Sequence, residues 1–197
     1  MIKFGVAGNS NSFYDVGFSH TYEAAKWRAG RGIDAFEYSF GRGVRMRTET
    51  AKEIGDAFKL HNVDLSVHAP YYVNFANSDP KMIDNSIGYI ISSMEKVDLM
   101  GGKRVVFHPG AQGKHERAAA VHLTIDNLKR LRDTVYEAGY NHLLACAETM
   151  GKVGQIGTVD EIISFCNIDD IFIPCVDFGH VNAREQGLLS SSKDFED

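Results

Sequence analysis

The chain has 197 residues, of which 44% are hydrophobic and 24% are charged, and its formal net charge is −5. This composition excludes a disordered chain, and the acidic balance argues against a broad basic surface for nucleic acid. No apolar run approaches the roughly 20 residues that span a membrane, and Met1–Phe4 lead straight into a strand-like segment. We therefore expect a cytoplasmic protein without membrane association.

Strand-like segments alternate with helix-like segments along the whole chain. Most of the strand-like segments are nearly continuous in apolar or β-branched residues, as parallel strands covered on both faces require. In chain order they are Lys3–Ala7, Ala35–Ser39, Leu65–Ala69, Arg104–His108, Leu143–Glu148 and Ile171–Asp177.

The helix-like segments show apolar residues at steps of three and four. The two clearest runs are Ile83, Ile87, Ile90, Met94 and Val97, and then Val121, Ile125, Leu128, Leu131 and Val135. Such spacing places one apolar stripe along each helix. Capping boxes are predicted at Thr50 with Glu53 and at Thr158 with Glu161.

This succession of strand–helix units predicts a parallel sheet with helical crossovers. An open doubly wound sheet and a barrel both fit that pattern. No Gly-x-Gly-x-x-Gly opens the first helix, and the polar residues collect where strands end, which favours the barrel. We predict an α/β fold, a TIM-type (β/α) barrel with about six of its eight βα units present. Residues 1–197 are expected to form this single domain.

Four successive strands end in a residue that can bind a metal ion. They deliver His68, His108, Glu148 and Asp177, the last followed closely by His180. Strand ends converge on one mouth of a barrel, where so many ionisable groups are costly to bury unless they bind a cation. Imidazoles and carboxylates are good ligands for zinc, manganese or iron. The pattern therefore predicts a metal site.

Several of these segments resemble the signatures of endonuclease IV, which is apurinic/apyrimidinic endonuclease family 2 of the xylose-isomerase-like TIM barrels. They follow one another in that family's order from Met1 to about Arg184. The segments are His68–Asn74, Phe107–Ala111, Glu148–Lys152, Gln155–Thr158 and Asp177–His180.

The resemblance implies a metal-dependent phosphodiesterase that incises DNA at abasic sites in base-excision repair. It implies up to three ions, Zn²⁺ or alternatively Mn²⁺. By the same resemblance, His68 and His108 hold one metal and Glu148 bridges it to a second. Asp177 matches a ligand of the second metal and His180 a ligand of the third. The implied chemistry is metal-assisted hydrolysis, in which Glu148 also orients the nucleophile.

Contacts with DNA are implied as well. Tyr71 matches a tyrosine that contacts DNA in the family, although packing at the barrel rim is an equal alternative. Arg42 and Arg45 lie in a Gly-flanked loop after the second strand, where the family has a loop that enters the minor groove. Basic side chains on such a loop suit phosphate contact, and a solvated surface loop is the alternative. Glu37, within the second strand, is a further candidate for the barrel interior.

The chain departs from the family in its last part. It ends within the sixth unit, and residues 185–197 contain no histidine. We therefore expect a C-terminally truncated barrel, with a full ligand set for one metal, about half a set for the second and only His180 for the third. Such a form is expected to be a poor nuclease. Two open sheet edges invite self-association.

Two other functions remain open. The first is a divalent-metal sugar isomerase or epimerase of the xylose-isomerase-like barrels, whose sites also collect Glu, Asp and His at strand ends. The second is an inactive truncated barrel. The paired histidines His68 and His108, and the Asp-x-x-His at Asp177, favour the nuclease.

Overall fold

The computed structural model of the protein describes residues 2–195 and confirms the parallel α/β architecture. The strands are β1 Gly5–Ala7, β2 Ala35–Ser39, β3 Asp64–His68, β4 Arg104–Phe107, β5 Gly110–Ala111, β6 Leu144–Glu148, β7 Gln155–Ile156 and β8 Phe172–Cys175. The main sheet has six strands in the order β1-β2-β3-β4-β6-β8, and every neighbouring pair is parallel. The short strands β5 and β7 form a separate antiparallel pair.

Helices connect the strands of the main sheet, and a short 3₁₀ helix follows at Ser192–Phe195. None of the helices among residues 2–195 combines the length and the apolar character that a membrane crossing requires. The α-helices are α1 Asn11–Asp15, α2 Thr21–Ala29, α3 Thr48–Leu60, α4 Pro80–Leu99, α5 Arg117–Glu137, α6 Val159–Cys166 and α7 Phe178–Arg184.

Local capping explains where two of these helices begin. The Asp79 side chain accepts a hydrogen bond from the amide of Lys81 ahead of α4, and the predicted capping box of Thr158 and Glu161 is present at α6. The capping box predicted at Thr50 is wrong. Helix α3 starts earlier, after the extended residue Arg47, so that Thr50 already lies within the first turn.

The two edge strands, β1 and β8, are shorter than predicted, and a local hydrogen bond explains each difference. The amide of Phe4 donates to the Asp34 side chain instead of joining a strand ladder, so β1 begins at Gly5. At the other edge β8 ends at Cys175, because Asp177 caps helix α7. Beside these edges several apolar side chains are exposed, namely Ile2, Phe4, Val6, Val176 and Phe178.

The two faces of the sheet have different chemistry. Val67, Val105 and Ala145 are neighbours in register on β3, β4 and β6, and all three are fully buried on the face that the helices cover. The alternate residues point to the inner face, where His68 on β3 and Glu148 on β6 lie at the carboxyl ends of their strands. The sheet therefore separates an apolar core from a polar inner face.

Close packing at the opposite end of the sheet depends on glycine. A Cβ atom at Gly102 would lie only 2.6 Å from the Leu65 carbonyl oxygen and from a methyl carbon of Val97. Gly88, in contrast, lies on an exposed stretch of α4 where a Cβ atom would meet nothing within 4 Å.

We expect Gly102→Ala to lower the free energy of unfolding by about 1–3 kcal/mol, because the added methyl group overpacks a rigid backbone contact. The control Gly88→Ala should instead raise it by about 0.5–1 kcal/mol, since alanine restricts the unfolded chain and favours the helix. Urea unfolding of both variants measures the two effects. Equal effects in the two variants would contradict the packing at Gly102.

Candidate metal centre

Three side chains from three neighbouring strands meet at the carboxyl end of the sheet. His68 ends β3, His108 directly follows β4, and Glu148 ends β6. The Nε2 atoms of both histidines lie 3.1 Å from the same carboxylate oxygen, Glu148 Oε2. The two imidazole rings meet edge to face with their centroids 4.9 Å apart. This geometry is the one expected from the sequence, and occupancy by a metal ion stays a prediction.

Electrostatics hold Glu148 as an anion. Burial by itself favours the neutral acid, but hydrogen bonds from His108 and His68 outweigh it and lower the pKa of Glu148 to about 2. Burial likewise opposes a charged imidazole at His68, yet its contacts with Glu148 and with the Ala69 carbonyl raise its pKa. A buried carboxylate with two imidazole nitrogens is a ligand set that suits a divalent cation such as Zn²⁺.

A second cluster shares Glu148 with the first. Candidate ligand atoms of Glu148, Asp177 and His180 all lie within 4.8 Å of one another. His180 Nδ1 lies 3.4 Å from Glu148 Oε1 and 3.6 Å from Asp177 Oδ2. It also lies 2.9 Å from the carbonyl oxygen of Thr149. Because a carbonyl oxygen only accepts, we assign the proton to Nδ1, which leaves Nε2 as the ring nitrogen with a free lone pair.

Thr149 fixes Asp177 relative to Glu148. Its side chain is almost fully buried. The hydroxyl accepts a hydrogen bond from the Asp177 amide at 2.9 Å and donates to the Asp177 carbonyl at 3.3 Å. The backbone of Thr149 donates to the Cys175 carbonyl. The ends of β6 and β8 are thereby tied together at the point where each presents a carboxylate.

The loops that follow β3 and β4 are joined by a single amide side chain. Asn74 Oδ1 accepts hydrogen bonds from the amides of Ala76 and Ala111, both at 3.1 Å. The amide of Phe75 donates to the Pro109 carbonyl at 2.8 Å. The β5–β7 pair then links the loop after β4 to the loop after β6. All three loops next to the histidines and Glu148 are therefore mutually braced.

The residues predicted to contact DNA lie beside the first cluster or on its flank. Tyr71 is 61% exposed, and its ring lies roughly parallel to the His108 ring, with centroids 6.0 Å apart. Its backbone amide donates to the Gly41 carbonyl, at the start of the loop that carries Arg42 and Arg45. Both arginines are exposed. A contact of these three residues with DNA stays a prediction.

Glu37 lies on the inner face below the histidines. It is paired in register with Ser66, which points to the same side of the sheet as His68. Burial raises the pKa of Glu37, with opposing influences from His68 and Glu148. A partly buried carboxylate at this depth adds an acceptor to the interior beneath the two clusters.

The chain is similar to known proteins over most of its length. A family model described as "Xylose isomerase-like TIM barrel" matches residues 26–197. An uncharacterized protein of Methanocaldococcus jannaschii is 30% identical over 195 residues, which cover 99% of this chain and 68% of that protein. A "Probable endonuclease 4" of Acholeplasma laidlawii is 31% identical over 134 residues, which are 64% of this chain and 45% of that protein.

Solved structures show the same fold at low sequence identity. A crystal structure of D-psicose 3-epimerase with D-fructose matches with a TM-score of 0.73 and 13% identity, over 95% of this chain and 67% of that one. Endonuclease IV from Thermus thermophilus matches with a TM-score of 0.57 and 17% identity, over 93% of this chain and 70% of that one.

We expect His108→Ala to abolish tight zinc binding while the protein stays folded, because the lost group is a candidate ligand at a strand end and not part of the apolar core. The loss of affinity should exceed the 10–100-fold typical of a group one step removed from the ion. His122→Ala, which removes a histidine with a 78% exposed side chain on α5, is the control. Elemental analysis of both purified variants measures the effect, and unchanged zinc content in His108→Ala would contradict the site.

The metal-free protein should be most stable between about pH 4.5 and 6.5, the ordinary pKa values of Glu148 and His68. Stability from the lowered pKa of Glu148 is present above 4.5 and is lost as the pH falls towards about 2. Stability from the raised pKa of His68 is complete below 6.5 and is lost as the pH rises through its folded-state pKa. Urea unfolding with a chelator tests this, and His68→Gln should flatten the alkaline decline. A decline that is identical in His68→Gln would refute the assignment.

Proposed function

The chain belongs to the xylose isomerase-like TIM barrel family, and we propose that it is a metal-dependent phosphodiesterase of the endonuclease 4 type that incises DNA at abasic sites. The observation that carries the proposal is Glu148, which is shared between the cluster with His68 and His108 and the cluster with Asp177 and His180. A carboxylate common to two groups of ligands is the arrangement that a site for adjacent ions needs.

The residues of the chain support this chemistry in distinct ways. Glu148 brings a fixed negative charge, because its pKa of about 2 keeps it ionised at neutral pH. His68 and His108 direct their Nε2 atoms to one point beside it, and His180 keeps Nε2 free by donating from Nδ1 to Thr149. When bound, divalent ions would lower the pKa of water and stabilise negative charge on the phosphate and its leaving oxygen.

DNA is the proposed substrate because two relatives named endonuclease 4 are 27% and 31% identical to this chain, over 70% and 64% of its length. The matching stretches cover only 46% and 45% of the length of those two relatives. Tyr71 presents an exposed ring over the first cluster, where it can pack against a sugar or base, as aromatic side chains do. Arg42 and Arg45 supply positive charge on the adjoining loop of an acidic protein.

A second candidate is a divalent-metal ketose epimerase. It is favoured by the TM-score of 0.73 with D-psicose 3-epimerase, against 0.57 with endonuclease IV. The partly buried carboxylate of Glu37 below the clusters also suits a small hydroxylated substrate. Low sequence identity weighs against this candidate, since likeness at 13% identity concerns the fold alone.

We expect the protein, with the partial ligand set predicted from its sequence, to incise slowly a duplex that carries one abasic site, in the presence of Zn²⁺ or Mn²⁺, and to leave a 3′ hydroxyl end. A chelator and Glu148→Gln should each abolish incision, because both empty the two clusters, whereas His122→Ala should incise like the wild type. Gel separation of the labelled strand measures the rate.

The same preparations should be assayed for conversion of D-fructose to D-psicose. Zinc-loaded protein that converts the sugar and leaves the duplex intact would contradict the nuclease and support the epimerase. Incision that persists in Glu148→Gln would contradict the role proposed for the shared carboxylate.

A further inference from the structure

Helix α7 carries one candidate ligand and follows another, yet it has no buried residue. Asp177 precedes its first turn and accepts a hydrogen bond from the His180 amide at 2.8 Å. The helix has only seven residues and follows β8 at one end of the main sheet. Apolar packing therefore does little to fix it, and its polar contacts decide where Asp177 and His180 stand relative to Glu148.

Arg184, the last residue of α7, makes the most extensive of these contacts. Its guanidinium donates hydrogen bonds, assisted by its positive charge, to four backbone carbonyls of the segment after β6. Nη1 lies 2.8 Å from Met150 O and 2.9 Å from Lys152 O, and Nη2 lies 3.3 Å from Val153 O and 3.1 Å from Gln155 O. Burial lowers the pKa of Arg184, but a guanidinium stays charged at neutral pH.

His180 contacts the same loop one helical turn earlier. His180 and Arg184 are four residues apart, so they occupy one face of α7. His180 Nδ1 lies 2.9 Å from the Thr149 carbonyl oxygen. Gly151 packs so closely that a Cβ atom there would lie 3.2 Å from His180 Cδ2. One loop thus receives both side chains.

A second arginine also binds this loop. Arg117, on α5, donates to the Val153 carbonyl at 3.0 Å and forms a bidentate ion pair with Glu161 at 2.6 and 2.7 Å. Glu161 in turn accepts from the amide of Gly157 at 2.7 Å. The loop is therefore anchored to the body of the protein independently of Arg184, and loss of Arg184 would release α7 and leave the loop in place.

We propose that Arg184 is a positioning residue that docks α7 onto the anchored loop and so sets Asp177 and His180 against Glu148. The docking of α7 is inferred from the contacts of Arg184, whereas its effect on metal binding rests on the proposed function. The ligands of the first cluster lie at the ends of β3 and β6 and directly after β4, and none of them is on α7. Arg184 therefore controls the second cluster selectively.

The test compares Arg184→Ala and Arg184→Lys with the wild type and with Arg130→Ala, a matched control that removes an exposed arginine paired with Asp84 on the helical surface. Hydrogen exchange of the metal-free proteins comes first. The amides of residues 178–184 should exchange faster in Arg184→Ala, with no change in α5. Arg184→Lys should restore little of this protection against exchange, since a point charge cannot bridge four carbonyls. Millimolar guanidinium added to Arg184→Ala should restore part of it.

Zinc titration of the same proteins then measures binding at the two clusters. Arg184→Ala should keep the tighter zinc and bind the second about 10–100-fold more weakly, as is typical of groups that orient ligands. Unchanged exchange of α7 in Arg184→Ala overturns the proposal. So does equal loss of both zinc ions, because that would indicate a general structural role.

Failure of the proposed function would look different. If the wild type binds no zinc but the amides of α7 still exchange faster in Arg184→Ala, the result supports the docking role of Arg184 and contradicts the metal site.

Discussion

The contact of Glu148 with two imidazoles is the constraint to which the rest of the site is fitted. A carboxylate at this depth is costly to bury, and its hydrogen bonds with His68 and His108 outweigh that cost, so that the pKa of Glu148 falls to about 2. The three side chains come from β3, β4 and β6, whose register is fixed by buried pairs such as Val67 with Val105. A shift of one residue in any of these strands would turn its ligand towards the helices. The apolar core therefore specifies the polar cluster.

Loops seldom hold side chains as firmly as strands do, and here polar contacts between loops supply the missing rigidity. Asn74 joins the loops after β3 and β4, and the β5–β7 pair joins the loops after β4 and β6. Arg184 on α7 and Arg117 on α5 both donate to carbonyls of the loop after β6. Most of these bonds run from a side chain to backbone carbonyls and amides, which leaves the inner face free for the ligands. These contacts between loops allow the ligands to be held in place even though the mouth of the barrel is formed by irregular segments.

The sequence predicted the strands of the main sheet and the convergence of their terminal residues, because both follow from local pattern. Apolar runs mark buried parallel strands, and parallel strands present their carboxyl ends together. The bracing contacts could not be predicted in the same way. Asn74 bonds to Ala111 and Arg117 to Glu161 across long stretches of chain, and no spacing encodes such pairs. For Arg184 the sequence contains one weak indication of a shared helix face, namely its position four residues after His180. Thr50 misled because a capping motif cannot by itself distinguish the start of a helix from its first turn.

The two candidate functions share one metal centre and differ in where a substrate would lie. Tyr71 and the adjoining loop with Arg42 and Arg45 are exposed beside the first cluster, where a polymer bound across the mouth would contact them. Glu37 lies below the clusters on the inner face, where a small molecule bound inside the barrel would contact it. The ligands themselves are compatible with both substrates, because carboxylates and imidazoles bind the same ions in either chemistry. The residues above and below the clusters, and not the ligands, would therefore determine which substrate binds. Identity to proteins named endonuclease 4 supports the proposal of a polymer at the mouth, whereas the likeness to D-psicose 3-epimerase at 13% identity concerns the shape of the barrel alone.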